Sequence, residues 1–124
     1  MTESRTILVA DDEAIVRDTL RALLEDAGYE VEEAANGQEA VHATRTVRPD
    51  LVILDINMPD LDGYSVLLLM KSQPLQRDLP VIVLTGEFVG EEYERHSQAL
   101  GALYHVGKPI GRDRLLSVVK EALS

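Results

Sequence analysis

Short, unbroken apolar runs separated by amphipathic stretches constrain this chain more than any other feature. Ile7-Leu8-Val9-Ala10, Leu51-Val52-Ile53-Leu54 and Val81-Ile82-Val83-Leu84 carry no polar residue, and Ala102-Leu103-Tyr104-His105-Val106 is similar. A strand with one wetted face alternates apolar and polar residues. Continuous runs rich in branched side chains suit strands buried on both faces, as in a parallel sheet covered by helices. Tyr29 to Ala34 is weaker, with Tyr29 and Val31 two apart, and reads as an edge strand.

The intervening segments have helical spacing. Val16, Leu20, Leu23, Leu24 and Ala27 form one stripe, with Gly28 as its stop. Asn36 and Glu39 make an N-cap-like opening to a second helix carrying Ala40, Val41 and Thr44. Tyr64 to Ser72 is a third, ended by Pro74. Its Val66, Leu67 and Met70 share a core-facing side, which turns Leu68 and Leu69 outward. Glu91 to Leu100 is a fourth, sparse in apolar residues and stopped by Gly101; Leu115, Leu116, Val119, Ala122 and Leu123 mark the fifth. Five β-α units in 124 residues, without repeat or linker, predict one α/β domain with a doubly wound open sheet.

In such sheets the site forms at the carboxyl ends of the strands, near the point where strand order reverses. Asp11, Asp12 and Glu13 follow the first apolar run. Asp55 follows the third strand, with Asn57, Met58, Pro59, Asp60, Asp62 and Gly63 behind it. Thr85, Gly86 and Glu87 follow the fourth, and Lys108-Pro109 comes two residues after the fifth. Each group alone has an ordinary explanation as a cap, a loop opener or a solvated lysine. Together they bring three carboxylates, a hydroxyl and an amine to one edge. Close carboxylates repel, and a hard dication such as Mg²⁺, which takes oxygen ligands, relieves that repulsion. Lys108 supplies a point charge for phosphate and Thr85 a hydroxyl donor. An aspartate is a competent nucleophile toward phosphorus, so the set suits a phosphoryl group carried on a carboxylate.

Composition narrows the partners. Twelve basic against twenty-two acidic side chains leave a formal charge of −10, which disfavours direct nucleic-acid or membrane binding. One phenylalanine, four tyrosines and no tryptophan do not make a base-stacking platform. With no cysteine there are no disulfides and no thiolate metal sites. No apolar run reaches the roughly 18 residues of a membrane span, and the first residues lack a signal-peptide pattern, so a cytoplasmic location is expected. His42, His96 and His105 have no metal-triad spacing.

From residue 5 to about residue 123 the chain resembles the receiver domain of bacterial two-component response regulators, including the chemotaxis regulators. The resemblance rests on Ile7-Leu8-Val9-Ala10-Asp11-Asp12-Glu13, on Pro49 to Asp55, and on Met58-Pro59 with Asp62-Gly63. Pro80 to Gly86, Gly101-Ala102 and Lys108-Pro109 complete it. It implies a flavodoxin-like fold, strand order 2-1-3-4-5 with five helices, occupying residues 1–124 as a single receiver domain. It also implies that Asp55 takes a phosphoryl group from a phosphohistidine on a sensor histidine kinase or phosphotransfer protein. Asp12, Asp55 and the Asn57 carbonyl would bind Mg²⁺ directly, and Asp11 through a water. Lys108 would pair with the phosphoryl oxygens, and Thr85 would move to bond them. The Lys108–Pro109 peptide would be cis. The output, toward a downstream effector or attached output domain, would be the face of the fourth helix, fifth strand and fifth helix. Such a module is not an enzyme in the ordinary sense, although it assists its own phosphorylation and dephosphorylation. Asn57 and Glu87 occupy the positions that flank the attacking water, and this pair implies a phosphoryl lifetime of seconds to minutes.

Some positions depart from the family pattern. His105 stands where Tyr or Phe is usual in the switch position, with Tyr104 beside it; the expectation is that His105 turns inward on phosphorylation, the alternative being a passive His105 packed against the sheet. Ile110 replaces a usual Phe, and Gly111 a polar cap, with Arg112 and Arg114 in the next turn opposing the helix dipole around Asp113. Three other readings compete. A haloacid-dehalogenase-like phosphatase requires an Asp where Asn57 stands. A flavodoxin-like cofactor binder requires a phosphate loop where Asp11-Asp12-Glu13 would repel the ligand. A pseudo-receiver would act by binding alone, without phosphorylation.

Overall fold

The structure, a computed structural model, describes residues 4–73, 78–86 and 89–124. Pro74 and Glu87 lie outside the described residues. Five strands, β1 (Thr6–Ala10), β2 (Glu30–Ala34), β3 (Leu51–Leu54), β4 (Val81–Thr85) and β5 (Tyr104–Gly107), alternate with five helices. These are α1 (Ala14–Asp26), α2 (Gly37–Thr46), α3 (Gly63–Ser72), α4 (Glu91–Ala99) and α5 (Arg112–Ala122). All pairings are parallel, and the strand order is β2-β1-β3-β4-β5, as the family resemblance implies. β2 is an edge strand with a broken burial pattern, whereas β3 and β4 are buried throughout.

The period-two alternation of the strands divides the core in two. Leu8, Ala10, Val52, Leu54, Val81 and Val83 point to one face and pack with Ala40 of α2 and Val66, Leu67 and Met70 of α3. Ile7, Val9, Leu51, Ile53, Ile82 and Leu84 point to the other and pack with Leu20 and Leu24 of α1 and Leu115, Val118 and Val119 of α5. Helices on both faces therefore keep the unbroken apolar runs dry. Burying each such large side chain contributes about 1.5–3 kcal/mol.

Element ends follow the local chemistry. Asn36 accepts from the Glu39 N–H at 2.9 Å, and the Glu39 carboxylate accepts from the Ala35 N–H at 2.9 Å, so α2 opens on the expected reciprocal cap. β5 starts two residues later than the sequence pattern suggests. Gly101, at φ 108°, reverses the chain after α4, and the Ala102 N–H still bonds back to the Ser97 carbonyl, so Ala102 belongs to the helix end. In α3, Leu68 and Leu69 are exposed, as expected from the helical phase. α4 buries only Ser97, against four buried residues in α3, which makes it the less firmly anchored of the two. Among the described residues, no helix is long and apolar enough to cross a membrane.

The turn from β3 into α3 is tight enough to exclude a side chain. A Cβ on Gly63 would lie 2.0 Å from the Cα of Ile56, backbone that cannot swing away, and the Gly63 N–H bonds the Ile56 carbonyl at 3.1 Å. Gly63→Ala is therefore expected to destabilise the domain at the upper end of the about 1–3 kcal/mol typical of overpacking, read as a lowered urea midpoint at unchanged slope.

Candidate functional site

The strand order reverses at β1 and β3, and the crevice this leaves is floored by the ends of those strands. The Asp55 N–H bonds the Ala10 carbonyl at 2.9 Å, which sets the two acidic strand ends side by side. Asp11 and Asp55 are almost wholly buried, at 2% and 3% exposure, while Asp12 is exposed. One oxygen from each of Asp11, Asp12 and Asp55 lies within 4.8 Å of the others. Asp12, Glu13, Asp55, Asn57, Gly86 and Lys108 line the cavity above them.

Two short-range bonds aim the buried carboxylates. Asp11 Oδ1 accepts from the Glu13 N–H and Asp55 Oδ1 from the Asn57 N–H, each at 2.9 Å, and both arise from the tendency of Asp to bond the backbone two residues on. Their other oxygens face Lys108, delivered from the end of β5 by a cis Lys108–Pro109 peptide. Lys108 Nζ lies 2.8 Å from Asp11 Oδ2, 3.3 Å from Asp55 Oδ2 and 3.4 Å from Glu13 Oε1. The Lys108 N–H also bonds the Thr85 carbonyl at 2.7 Å, and Thr85, fully buried, is the last residue of β4.

The electrostatics reflect the crowding. Burial pushes the Asp55 carboxyl above its ordinary value, and the Asp11 charge adds to this; the Asn57 N–H and the Lys108 ammonium pull the other way. Burial lowers the Lys108 ammonium, but its bond to Asp11 and the charges of Asp55 and Asp11 outweigh that and raise it. Lys108 is therefore a fixed cation. A single ammonium faces Asp11, Glu13 and Asp55 while Asp12 stands beside them, so the donor set is all oxygen and still in excess of negative charge. That is the chemistry a hard dication such as Mg²⁺ prefers, and these residues fit one.

His105 is not part of this cavity. It lines a separate groove on the α4–β5–α5 side, with Glu91, Glu94, Arg95, Gln98, Tyr104, Val106 and Arg114. The expectation that His105 turns inward on phosphorylation needs a correction in its starting point. The ring is already inside, 8% exposed, because the fully buried Ser97 hydroxyl on α4 gives its Nδ1 a partner at 2.7 Å. At the start of α5 Gly111 gives no side-chain cap, as expected, and Arg112 pairs with Asp26 at 3.2 Å on the surface, a pair the sequence did not indicate. Ser97 was not singled out by sequence, nor were Arg17, whose guanidinium reaches the Asp11 carbonyl, and Asp60 as an anchor. Asp60 accepts from the Gly37 and Gln38 N–H groups at 2.8 and 3.1 Å, tying the loop after Asp55 to the start of α2. No motif marks these three, since each meets a partner on a different element.

Residues 7–120 match the family described as the response regulator receiver domain. The transcriptional regulatory protein PdtaR of Mycobacterium tuberculosis is 38% identical over 121 residues; the match covers 97% of this chain and 57% of that protein. The chain thus spans little more than half of that relative's length. Sporulation initiation phosphotransferase F of Bacillus subtilis is 36% identical over 118 residues, covering 94% of this chain and 92% of that protein. Among solved structures, the chemotaxis protein CheY4 of Vibrio cholerae superposes with a TM-score of 0.92 at 32% identity, covering 98% of this chain and 100% of that one. A family match over nearly the whole chain, on a fold whose acidic crevice lies where the strand order reverses, makes this chain a member of the response regulator receiver domain family, the phosphoryl-accepting signalling module of two-component systems.

Proposed function

We propose that Asp55 is the phosphoacceptor of this receiver, taking a phosphoryl group from a phosphohistidine on a sensor histidine kinase or a phosphotransfer protein. The observation that carries this reading is the Asp55 carboxylate itself: buried at a strand end, open to the cavity, and held by the Asn57 N–H and the Lys108 ammonium. Both of those contacts favour the ionised, nucleophilic form. In the transfer an Asp55 carboxylate oxygen forms the bond to phosphorus, and the phosphorus–nitrogen bond of the donor breaks with its electron pair left on the imidazole. Lys108 neutralises charge on the transferring oxygens. Asp11, Asp12 and Asp55, with the Asn57 carbonyl, would hold Mg²⁺, which when bound supplies further charge neutralisation at the phosphoryl oxygens. The acceptor thus assists its own phosphorylation by positioning and electrostatics.

Reversal and readout use the same edge. Asn57, two residues past Asp55 and lining the same cavity, flanks the path of the hydrolytic water, and the phosphoryl group is expected to last seconds to minutes. Thr85, at the end of β4, donates its hydroxyl to the phosphoryl oxygens, and β4 carries that shift to its neighbour β5, where His105 pairs with Val83. The altered contact is then the Ser97–His105 bond rather than the burial of the ring, and the weakly anchored α4 changes its seat. The α4–β5–α5 face meets a downstream effector or an attached output domain. The receiver unit takes in residues 1–124, with its core from about residue 5 to residue 123.

Intact mass after incubation with a small phosphodonor and Mg²⁺ is expected to show one added phosphoryl group in the wild type and none in Asp55→Asn, because an amide is not a nucleophile. Stoichiometric uptake by the variant would overturn the assignment.

Mg²⁺ at a hundred times its dissociation constant is expected to stabilise the wild type by about 2.7 kcal/mol, seen as a raised melting temperature over a chelator control. Identical melts would count against the metal site.

Without Mg²⁺, Asp55→Asn is expected to melt higher than wild type at neutral pH. The Asp55 carboxyl is raised from its ordinary 3.8, so the stability it contributes is present below that value and is lost as pH rises through the higher folded-state value. The advantage of the variant should therefore vanish on acidification. An advantage that is equal at all pH values would contradict the burial argument.

A further inference from the structure

The turn that carries Asp11, Asp12 and Glu13 lacks the usual fixing of a helix start. Glu13, at the N-cap of α1, makes no side-chain cap bond, and the first turn of α1 has no acidic residue. The turn is instead gripped from the side. Arg17 Nη1 donates to the Asp11 backbone carbonyl at 2.6 Å while its Nε donates to Glu33 Oε1 on β2 at 3.0 Å. The second Glu33 oxygen accepts from Arg21 Nε at 2.6 Å, and Arg21 Nη1 reaches Glu25 at 3.0 Å. The Arg17 and Glu33 side chains are 17% and 26% exposed, so this pair is partly shielded from water. Its two arginine bonds hold the Glu33 carboxyl below the ordinary carboxylate range, which leaves it ionised and able to orient both cations.

The carbonyl that Arg17 holds belongs to the planar peptide joining Asp11 to Asp12. Turning that peptide moves the Asp12 carboxylate relative to the Asp11 side chain, which is separately pinned by Lys108 and the Glu13 N–H. Asp12 is exposed, and its Cα is attached directly to that peptide. We propose that Arg17, oriented by Glu33, is a positioning residue that holds the Asp11–Asp12 peptide so that both carboxylates converge with Asp55 on one divalent cation. The inference rests on the reading of this cluster as a Mg²⁺ site. A planar guanidinium bonds the carbonyl and the carboxylate at the same time, whereas an ammonium is a single point of charge without that fork.

The test separates positioning from charge because the two predict opposite signs. Arg17→Gln removes a cation near the site, and Coulomb attraction alone would then tighten Mg²⁺ binding. Loss of positioning weakens it, by about tenfold if Arg17 acts as other groups that orient metal ligands do. Mg²⁺ titration followed by the Asp11, Asp12 and Glu13 amide shifts gives the dissociation constant directly, without any phosphoryl transfer. Arg112→Gln, which lowers the net charge equally at a surface pair remote from the turn, is expected to bind within twofold of wild type. Arg17→Lys keeps the charge and loses the fork; it is expected to bind Mg²⁺ several-fold more weakly, and it carries the test if the Gln variant does not fold. Wild-type or tighter binding by Arg17→Gln, or wild-type binding by Arg17→Lys, would overturn the positioning role while leaving the metal reading intact. Failure of the wild type itself to bind Mg²⁺ would overturn both.

Discussion

Carboxylates that sit close together at low exposure repel, and the whole active edge of this domain is arranged around that fact. Asp11 and Asp55 are buried at adjacent strand ends because β1 and β3 pair in parallel with both faces covered. The fold answers the repulsion with one cation, Lys108, which reaches back from the end of β5 across β4 to contact three carboxylates. Asp12 adds a further negative charge to the set. The imbalance suits the proposed function: an all-oxygen site left in excess of negative charge favours a divalent cation, which would offset the charge of an incoming phosphoryl group.

The same arrangement separates a rigid part from an adjustable one. The carboxylate-bearing strands, β1 and β3, lie inside the sheet, and every residue of β3 is buried. The turn after β3 is pinned by Asp60, which accepts from the first amides of α2, and by Gly63 against Ile56. Chemistry that depends on tenths of an ångström is thus built on the least yielding elements. α4 is the contrast, with Ser97, bonded to His105, as its one buried residue. A module that must report a local chemical event needs one element of low intrinsic stability, because a change of a few kcal/mol at the site can then re-seat it.

The histidine at position 105 gives that contact its character. An imidazole bonded to a buried hydroxyl is a directional partner, and its geometry ties α4 to β5 in a way an apolar ring would not. The exposed side of the same groove mixes acidic and basic residues, Glu91 and Glu94 with Arg95 and Arg114, so the surface there carries a mixed charge pattern.

The strands, their parallel pairing with helices on both faces and the edge position of β2 could be read from the chain because they follow from local period and burial. The acidic residues and the lysine could be read for a related reason: the fold class sends every strand's carboxyl end to one edge, so position in the chain implies position in space. Tertiary structure alone decided what no local pattern encodes. The start of β5 was set by the Gly101 turn rather than by the apolar run. Ser97 meets His105, Asp60 meets the amides of α2, and Arg17 bridges the Asp11 carbonyl to Glu33, each pair joined only because packing brings separate elements together. A polar residue on a helix looks solvated in sequence whether or not a distant partner waits for it, and only the folded chain supplies that partner.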